Sequence, residues 1–409
     1  MTGTKHARQV SISLKTEPRN LGAHVRRAPV AFSAIAVVIA TGAAACGGSD
    51  SGSSGGSGAA GAKQTVNVTI TSKACTPDVA TIPSGPTTFK VVNKDAGDVT
   101  EAELVDGDTI LGEKENLTPG LSGTFSLNVK AGKYQLYCPG ADTEKVDFTV
   151  TQAAGATAAA TRGAEVTTAL TAATTGYATY VRQQVADLVT TTGAFVTAVK
   201  AGDLDQSAKL YAAPRLDYER IEPVAESFGD LDPAIDARID DAPDAASWTG
   251  FHRLEKAIFA DRSLAGTGPI ADKLNTDVGK LNTLVAKATF QPAQIANGAT
   301  ELLDEVGKTK ITGEEERYSK LDLLDMQGNI EGADKAFTLL EPALKSLDPK
   351  LASTVRTRFT ALYQALSPYK EGTGYVSYDK VTQDQRRGLS QAVDALAEPL
   401  SQVAGVVVS

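Results

Sequence analysis

Residues 247–261, SWTGFHRLEKAIFAD, hold the single tryptophan of the chain and one of its three histidines. His252 and Glu255 stand three residues apart, so on a helix their side chains share one face. An imidazole and a carboxylate presented together suit a transition metal of intermediate hardness, such as iron. Taken alone, the pair is as readily an ion pair or a helix cap. Other acidic segments add to it. Glu219 and Glu222 lie three apart in YERIE, Asp236 follows in DPAIDARIDD, and ITGEEERYSKLDLLD carries Glu314, Glu315, Glu316 and Asp322. Facing helices that turn carboxylates and a histidine inward build metal sites in bundles. The plainer alternative is a set of solvated charged helix faces.

The same residues weigh against hydrolytic chemistry. A zinc-peptidase helix carries His-Glu-x-x-His, and the sequence has no such run. Once an export leader is set aside, His252 is the only histidine, too few for a catalytic zinc with two His ligands. No Gly-x-Ser-x-Gly occurs, and a Ser or Cys nucleophile would have only His252 as its base. No catalytic residue is assigned.

The elements that must position these residues fall into two blocks. From residue 165 to residue 409 apolar residues recur at helical spacing, as in TTGYATYVRQQVADLVTTTGAFVTAVKAG and QRRGLSQAVDALAEPLSQVAGV. This block reads as an all-α bundle. Residues 65–152 read as β instead. VNVTI, TTFKVVN, EAELVDG, GTFSLNV, KYQLYC and KVDFTV are short Val-, Thr- and aromatic-rich runs divided by turn signals. Six or seven such strands predict a small sandwich. Cys138, at the end of the penultimate strand, resembles the cysteine of a cupredoxin. A blue-copper site needs two His, a Cys and usually a Met, and residues 65–152 contain neither His nor Met. Residues 153–164, AAGATAAATRGA, are a low-complexity linker.

The first 45 residues set the compartment. Six Lys or Arg against Glu17 precede a short apolar run, AFSAIAVVIA, and then TGAAAC. That is the plan of an export signal, and the run falls short of the roughly 20 apolar residues of a membrane span. Ala43-Ala44-Ala45-Cys46 resembles a bacterial lipobox without its usual first Leu, so Cys46 is the expected lipidation site. Residues 46–64, rich in Gly and Ser, would be its tether. The alternative is an ordinary signal peptide cut near Ala45. The whole chain carries −9 and the leader +5, which leaves −14 on the remainder. Such a protein suits cations and excludes nucleic acid as a natural partner. Cys75 and Cys138 default to a disulfide in an oxidising compartment.

WTGFHRLEKAIF, YERIEPVAESFGDLDPAIDARIDD and ITGEEERYS resemble the EfeO family of iron-uptake lipoproteins, whose helical domain is related to imelysin-like peptidases. The resemblance covers nearly all of residues 65–409 and implies a cupredoxin-like β domain followed by an imelysin-like helical domain. It implies a metal site of His252 and Glu255 with Glu219, Glu222 and Asp236. The fourth segment is ambiguous among Glu314, Glu315 and Glu316, and Glu316 is taken. A second metal set implied in the β domain is Cys75, Cys138, Glu101 and Glu103, with Glu113 and Glu115 nearby. The expected cargo is iron, Fe2+ or Fe3+, with Cu2+ and Zn2+ as competitors. The implied partners are a membrane iron permease and a haem-dependent peroxidase, met at the outer face of the cytoplasmic membrane. An imelysin-type metallopeptidase and a non-catalytic envelope solute-binding protein are the rival readings.

Overall fold

The structure, a computed structural model, describes residues 63–153, 163–242 and 245–408. Cys46, the export signal and most of the expected tether and linker lie outside the described residues. The chain is two-domain in architecture, an all-β cupredoxin-like sandwich followed by an all-α bundle.

Nine strands build the sandwich: β1 (Gln64–Ile70), β2 (Cys75–Pro77), β3 (Thr81–Pro83), β4 (Gly85–Asn93), β5 (Ala102–Asp106), β6 (Thr109–Lys114), β7 (Ser122–Val129), β8 (Gly132–Tyr137) and β9 (Lys145–Thr151). The additional strands are β2 and β3, three residues each, and β6, whose TILGEK lacks the alternation of a half-buried strand. They are paired by their neighbours rather than by their own composition. One sheet runs β2-β1-β4-β7 and the other β3-β9-β8-β5-β6. β1 lies parallel to β4 and β3 parallel to β9, and the other pairings are antiparallel. Inward positions such as Val66, Val68, Phe89, Val91, Phe125, Leu136 and Phe148 fill the space between the sheets. The Phe89 and Phe125 rings stack at 4.8 Å. Cys75 and Cys138 are wholly buried in this core and joined by a disulfide, with Cα atoms 6.0 Å apart.

The helical domain comprises α1 (Ala164–Ala201), α2 (Leu204–Glu219), α3 (Glu222–Glu226), α4 (Leu231–Asp236), α5 (Gly250–Glu255), α6 (Gly268–Val285), α7 (Pro292–Lys308), α8 (Asp322–Leu347), α9 (Pro349–Leu366) and α10 (Gln383–Val408). Its long helices bury apolar stripes against one another, as Val181, Val185 and Leu188 of α1 do. The short α3, α4 and α5 bury acidic residues, Glu222, Asp236 and Glu255, beside apolar ones such as Val224, Ile235 and Phe251. α5 passes directly into one π-helical turn, Lys256–Ala260, a local widening that is frequent at functional sites. Among the described residues no helix is long and apolar enough to cross a membrane.

The two domains meet at β6, β7, α3, α7 and α10. Ile110 N–H donates to Ser227 O at 3.2 Å, Gln294 Nε2 to Leu111 O at 3.2 Å, and Asn297 Nδ2 to Ser126 O at 3.0 Å. Lys114 pairs with Asp304 across the same seam.

Candidate metal centre

His252 is placed by the start of its helix. Gly250 opens α5 at φ +87°, a left-handed conformation that favours glycine, and a Cβ there would drive into the Ile235 carbonyl of α4. Thr249 Oγ1 donates to Ala234 O at 3.1 Å, and Trp248 Nε1 to Ala237 O at 2.7 Å. The start of α5 is therefore pinned to the end of α4, which sets His252 beside Asp236.

Around the imidazole, Nδ1 lies 3.2 Å from Glu255 Oε2, and Nε2 lies 3.3 Å from Glu315 Oε1 and 3.5 Å from Asp236 Oδ1. Glu255 does more than face the ring. Its other oxygen accepts the backbone N–H groups of Tyr318 and Ser319, both at 2.7 Å. That clamp holds the stretch before α8 that carries Glu315 and Glu316.

Ligand atoms of Asp236, His252 and Glu315 all lie within 4.8 Å of one another, and so do those of Glu219, Glu222, Asp236 and Glu315. These five side chains, and that of Glu255, are buried. Five of the six residues expected from sequence, His252, Glu255, Glu219, Glu222 and Asp236, thus gather in one place. Glu316 turns a different way, to Arg215 Nε at 2.9 Å, Tyr211 Oη at 3.0 Å and Ser319 Oγ. The carboxylate that reaches His252 from this segment is that of its neighbour Glu315. Three adjacent glutamates gave no sequence signal to choose between them.

Arg215 and Lys310 are the participants that sequence reasoning passed over, and both are fully buried. Arg215 pairs with Glu219, Asp236, Glu316 and Asp325, the last at 2.9 Å, while its guanidinium sits 5.6 Å from the Phe251 ring centre. Its i,i+4 relation to Glu219 was a readable sign of pairing. Lys310, in a 3-10 turn after α7, reaches Glu219 at 2.5 Å, Glu222 at 2.7 Å and Glu305 at 3.5 Å. No local feature marks that lysine. Gly328 of α8 lets the helix approach so closely that an added Cβ would strike Glu219, and Asn329 donates to Glu219 and Glu222 at 2.8 and 3.0 Å.

The electrostatics follow from burial and these neighbours. Burial works against a charged imidazole, but Asp236, Glu255 and Glu315 outweigh it and hold His252 well above the ordinary histidine value. Glu315 lies well below the usual carboxylate range, because Lys310, His252 and Arg238 together overcome its burial. Burial pushes Glu222 well up, with Glu219 and Glu305 adding to it. Three basic groups, His252, Arg215 and Lys310, are thus distributed among buried acidic side chains. A metal ion arriving there would displace protons or these resident cations.

In the β domain, the disulfide leaves no thiolate at Cys75 or Cys138, and the thiolate is the ligating form. Glu103 and Glu113 are register partners on β5 and β6. Burial pushes Glu103 up to about 8, with Glu101 and Glu115 contributing, and its Oε2 is buried without a hydrogen-bond partner.

Residues 30–150 match the cupredoxin-like domain family and residues 173–403 match imelysin, the M75 peptidase family. The fold and the buried cluster thus define a cupredoxin–imelysin protein with a carboxylate–histidine centre. The chain is 41% identical over 347 residues to the iron uptake system component EfeO of Yersinia pestis, covering 84% of this chain and 91% of that one. It is 40% identical over 345 residues to the EfeO of Escherichia coli O6:H1, with the same coverage of each chain. The chain belongs to the EfeO family.

Proposed function

We propose that this protein is an extracytoplasmic iron-binding component of an uptake system, as the names of its relatives indicate for them. It captures iron at the buried centre and delivers it to a membrane iron permease, with a haem-dependent peroxidase acting on the metal beforehand. Cys46 carries a lipid that keeps it at the outer face of the cytoplasmic membrane. The observation that carries the reading is the convergence of Asp236, His252 and Glu315, from three separate segments, to within 4.8 Å in a buried site. Hard oxygen donors with one imidazole suit Fe2+ and Fe3+, and also admit Cu2+ and Zn2+.

His252, Asp236 and Glu315 supply the first ligands, with Glu219 and Glu222 within reach. Glu255 orients the imidazole through Nδ1, the partner that a metal-bound histidine ordinarily has. Capture releases the imidazolium proton, so acid favours release of the metal. Glu101 and Glu103 constitute a second, oxygen-only set in the β domain, and Cys75 and Cys138 join it only after reduction. The metallopeptidase reading draws on the imelysin family description alone.

The test is calorimetric titration with anaerobic Fe(II), Fe(III), Cu(II) and Zn(II), beside a His252→Ala/Glu255→Ala variant. Tight iron binding lost in the variant supports the centre. Equal binding in both proteins overturns it, and peptide cleavage abolished by Glu255→Ala would favour the peptidase.

A further inference from the structure

The seam between the two domains encloses a cavity of about 220 Å³. β6 contributes Leu111 and Glu113 to its wall. The helical domain contributes Tyr177 of α1, Phe228 after α3, Phe290 just before α7 and Glu301 within α7. The Tyr177 and Phe290 rings pack edge to face, with centres 5.0 Å apart. The two amides of the wall are engaged, Gln294 Nε2 with Leu111 O at 3.2 Å and Asn297 Nδ2 with Ser126 O at 3.0 Å. The carboxylates are not. Glu113 is only 6% exposed, yet among the described residues its carboxylate has neither a hydrogen bond nor an ion pair, and the same holds for the Glu301 carboxylate and the Tyr177 hydroxyl. Buried polar groups ordinarily have partners, and one without them asks for an explanation.

The lining also says which ligand fits. Among the described residues no Lys, Arg or His lines the cavity, and Lys114, next to Glu113, is held by Asp304. The missing charge is therefore positive, and an anion is excluded by the two carboxylates. A divalent metal ion takes about six or more oxygen ligands, whereas most of this wall is carbon. Aromatic rings beside carboxylates suit an ammonium carried on a carbon skeleton, through cation–π attraction and apolar burial together. The volume falls below the roughly 300 Å³ at which drug-sized pockets begin, so the ligand is small.

We propose that this cavity binds a small organic ammonium ion, its nitrogen at Glu113 and Glu301 and its carbon skeleton against Tyr177, Phe228 and Phe290. The ligand would touch both domains and so brace β6 against α7. The cavity shares no residue with the His252 centre, and the inference does not rest on the reading of that centre as a metal site.

Ligand-observed NMR titration of the metal-free, two-domain protein tests it. The pH is set at about 8.5, above the value of about 8 to which burial pushes Glu301, so that its carboxylate is charged. Benzylammonium is the probe, with benzyl alcohol and benzoate as its neutral and anionic counterparts. Benzylammonium should bind as one equivalent, about tenfold or more tightly than either counterpart. Glu113→Gln/Glu301→Gln should erase that preference, weakening benzylammonium by about tenfold or more and leaving benzyl alcohol unchanged. Phe290→Leu should weaken benzylammonium by about threefold, and His252→Ala/Glu255→Ala should leave it unchanged. Absence of benzylammonium binding, equal affinity for benzyl alcohol, or a benzylammonium affinity that survives both glutamines overturns the proposal. If the double variant loses both probes, its cavity has collapsed. The single variants Glu113→Gln and Glu301→Gln, matched to the parent in melting temperature, then decide. Each should weaken benzylammonium alone, and if neither does the proposal falls.

Discussion

Glu315 Oε1 lies 3.3 Å from His252 Nε2, while the adjacent Glu316 turns away to Arg215 and Tyr211. One peptide unit therefore separates a carboxylate that faces the histidine from one that neutralises the central guanidinium. Glu315→Gln should weaken iron binding by tenfold or more, about 1.4 kcal/mol. Glu316→Gln should instead lower stability, because it leaves Arg215 short of a partner, with a smaller effect on affinity. Calorimetry and thermal melts of the two variants separate these outcomes, and equal losses of affinity would contradict the assignment.

Gly250 makes a comparable test of positioning. Its φ of +87° and its closeness to the Ile235 carbonyl leave no place for a methyl group. Gly250→Ala should destabilise the domain by clearly more than 1 kcal/mol, the reverse of the small gain at an unstrained glycine. It should also displace His252 from Asp236 and reduce metal affinity. A melting temperature within one degree of the parent would show that the α4–α5 contact yields.

Lys310 is a resident counter-ion for Glu219, Glu222 and Glu305. Lys310→Met should destabilise the metal-free protein by up to about 3–5 kcal/mol, the usual cost of stranding a buried charge. Protonation of Glu222 recovers part of that loss. Added metal should raise the melting temperature of the variant by more than that of the parent, since an incoming cation replaces the missing ammonium. An equal rise in both would show that the ammonium and the metal do not share these carboxylates.

The seam predicts an inverted pH dependence. Burial pushes Glu115 and Glu301 up to about 8 from an ordinary value of 4.5. A carboxyl whose folded value is raised binds its proton more tightly folded than unfolded. Its contribution is complete below about 4.5 and is lost as pH climbs through 8. His252, also raised, acts in the same direction. The metal-free protein should therefore melt at a higher temperature at pH 5 than at pH 8, and Glu301→Gln should flatten that difference. Iron should bind in the opposite sense, more tightly at pH 8, with net proton release detectable in buffers of differing ionisation enthalpy.

Much of this protein is legible in one dimension. Strand alternation and helical spacing are local properties, so the β-then-α order follows from residue types alone. The absence of His and Met from residues 65–152 excludes an ordinary blue-copper centre by composition alone. His252 and Glu255 could be paired because three residues on a helix bring side chains together whatever the tertiary fold. Glu315 over Glu316, the burial of Arg215 and Lys310, and the strand character of TILGEK were decided only in three dimensions. Each depends on what lies opposite: Glu255 clamping the stretch before α8, carboxylates from four segments closing around two cations, β5 pairing with β6. The sequence determined which groups could hold a metal. The tertiary structure decided which of them meet, because a charge is stable in a low-dielectric interior only where distant parts of the chain supply its partners.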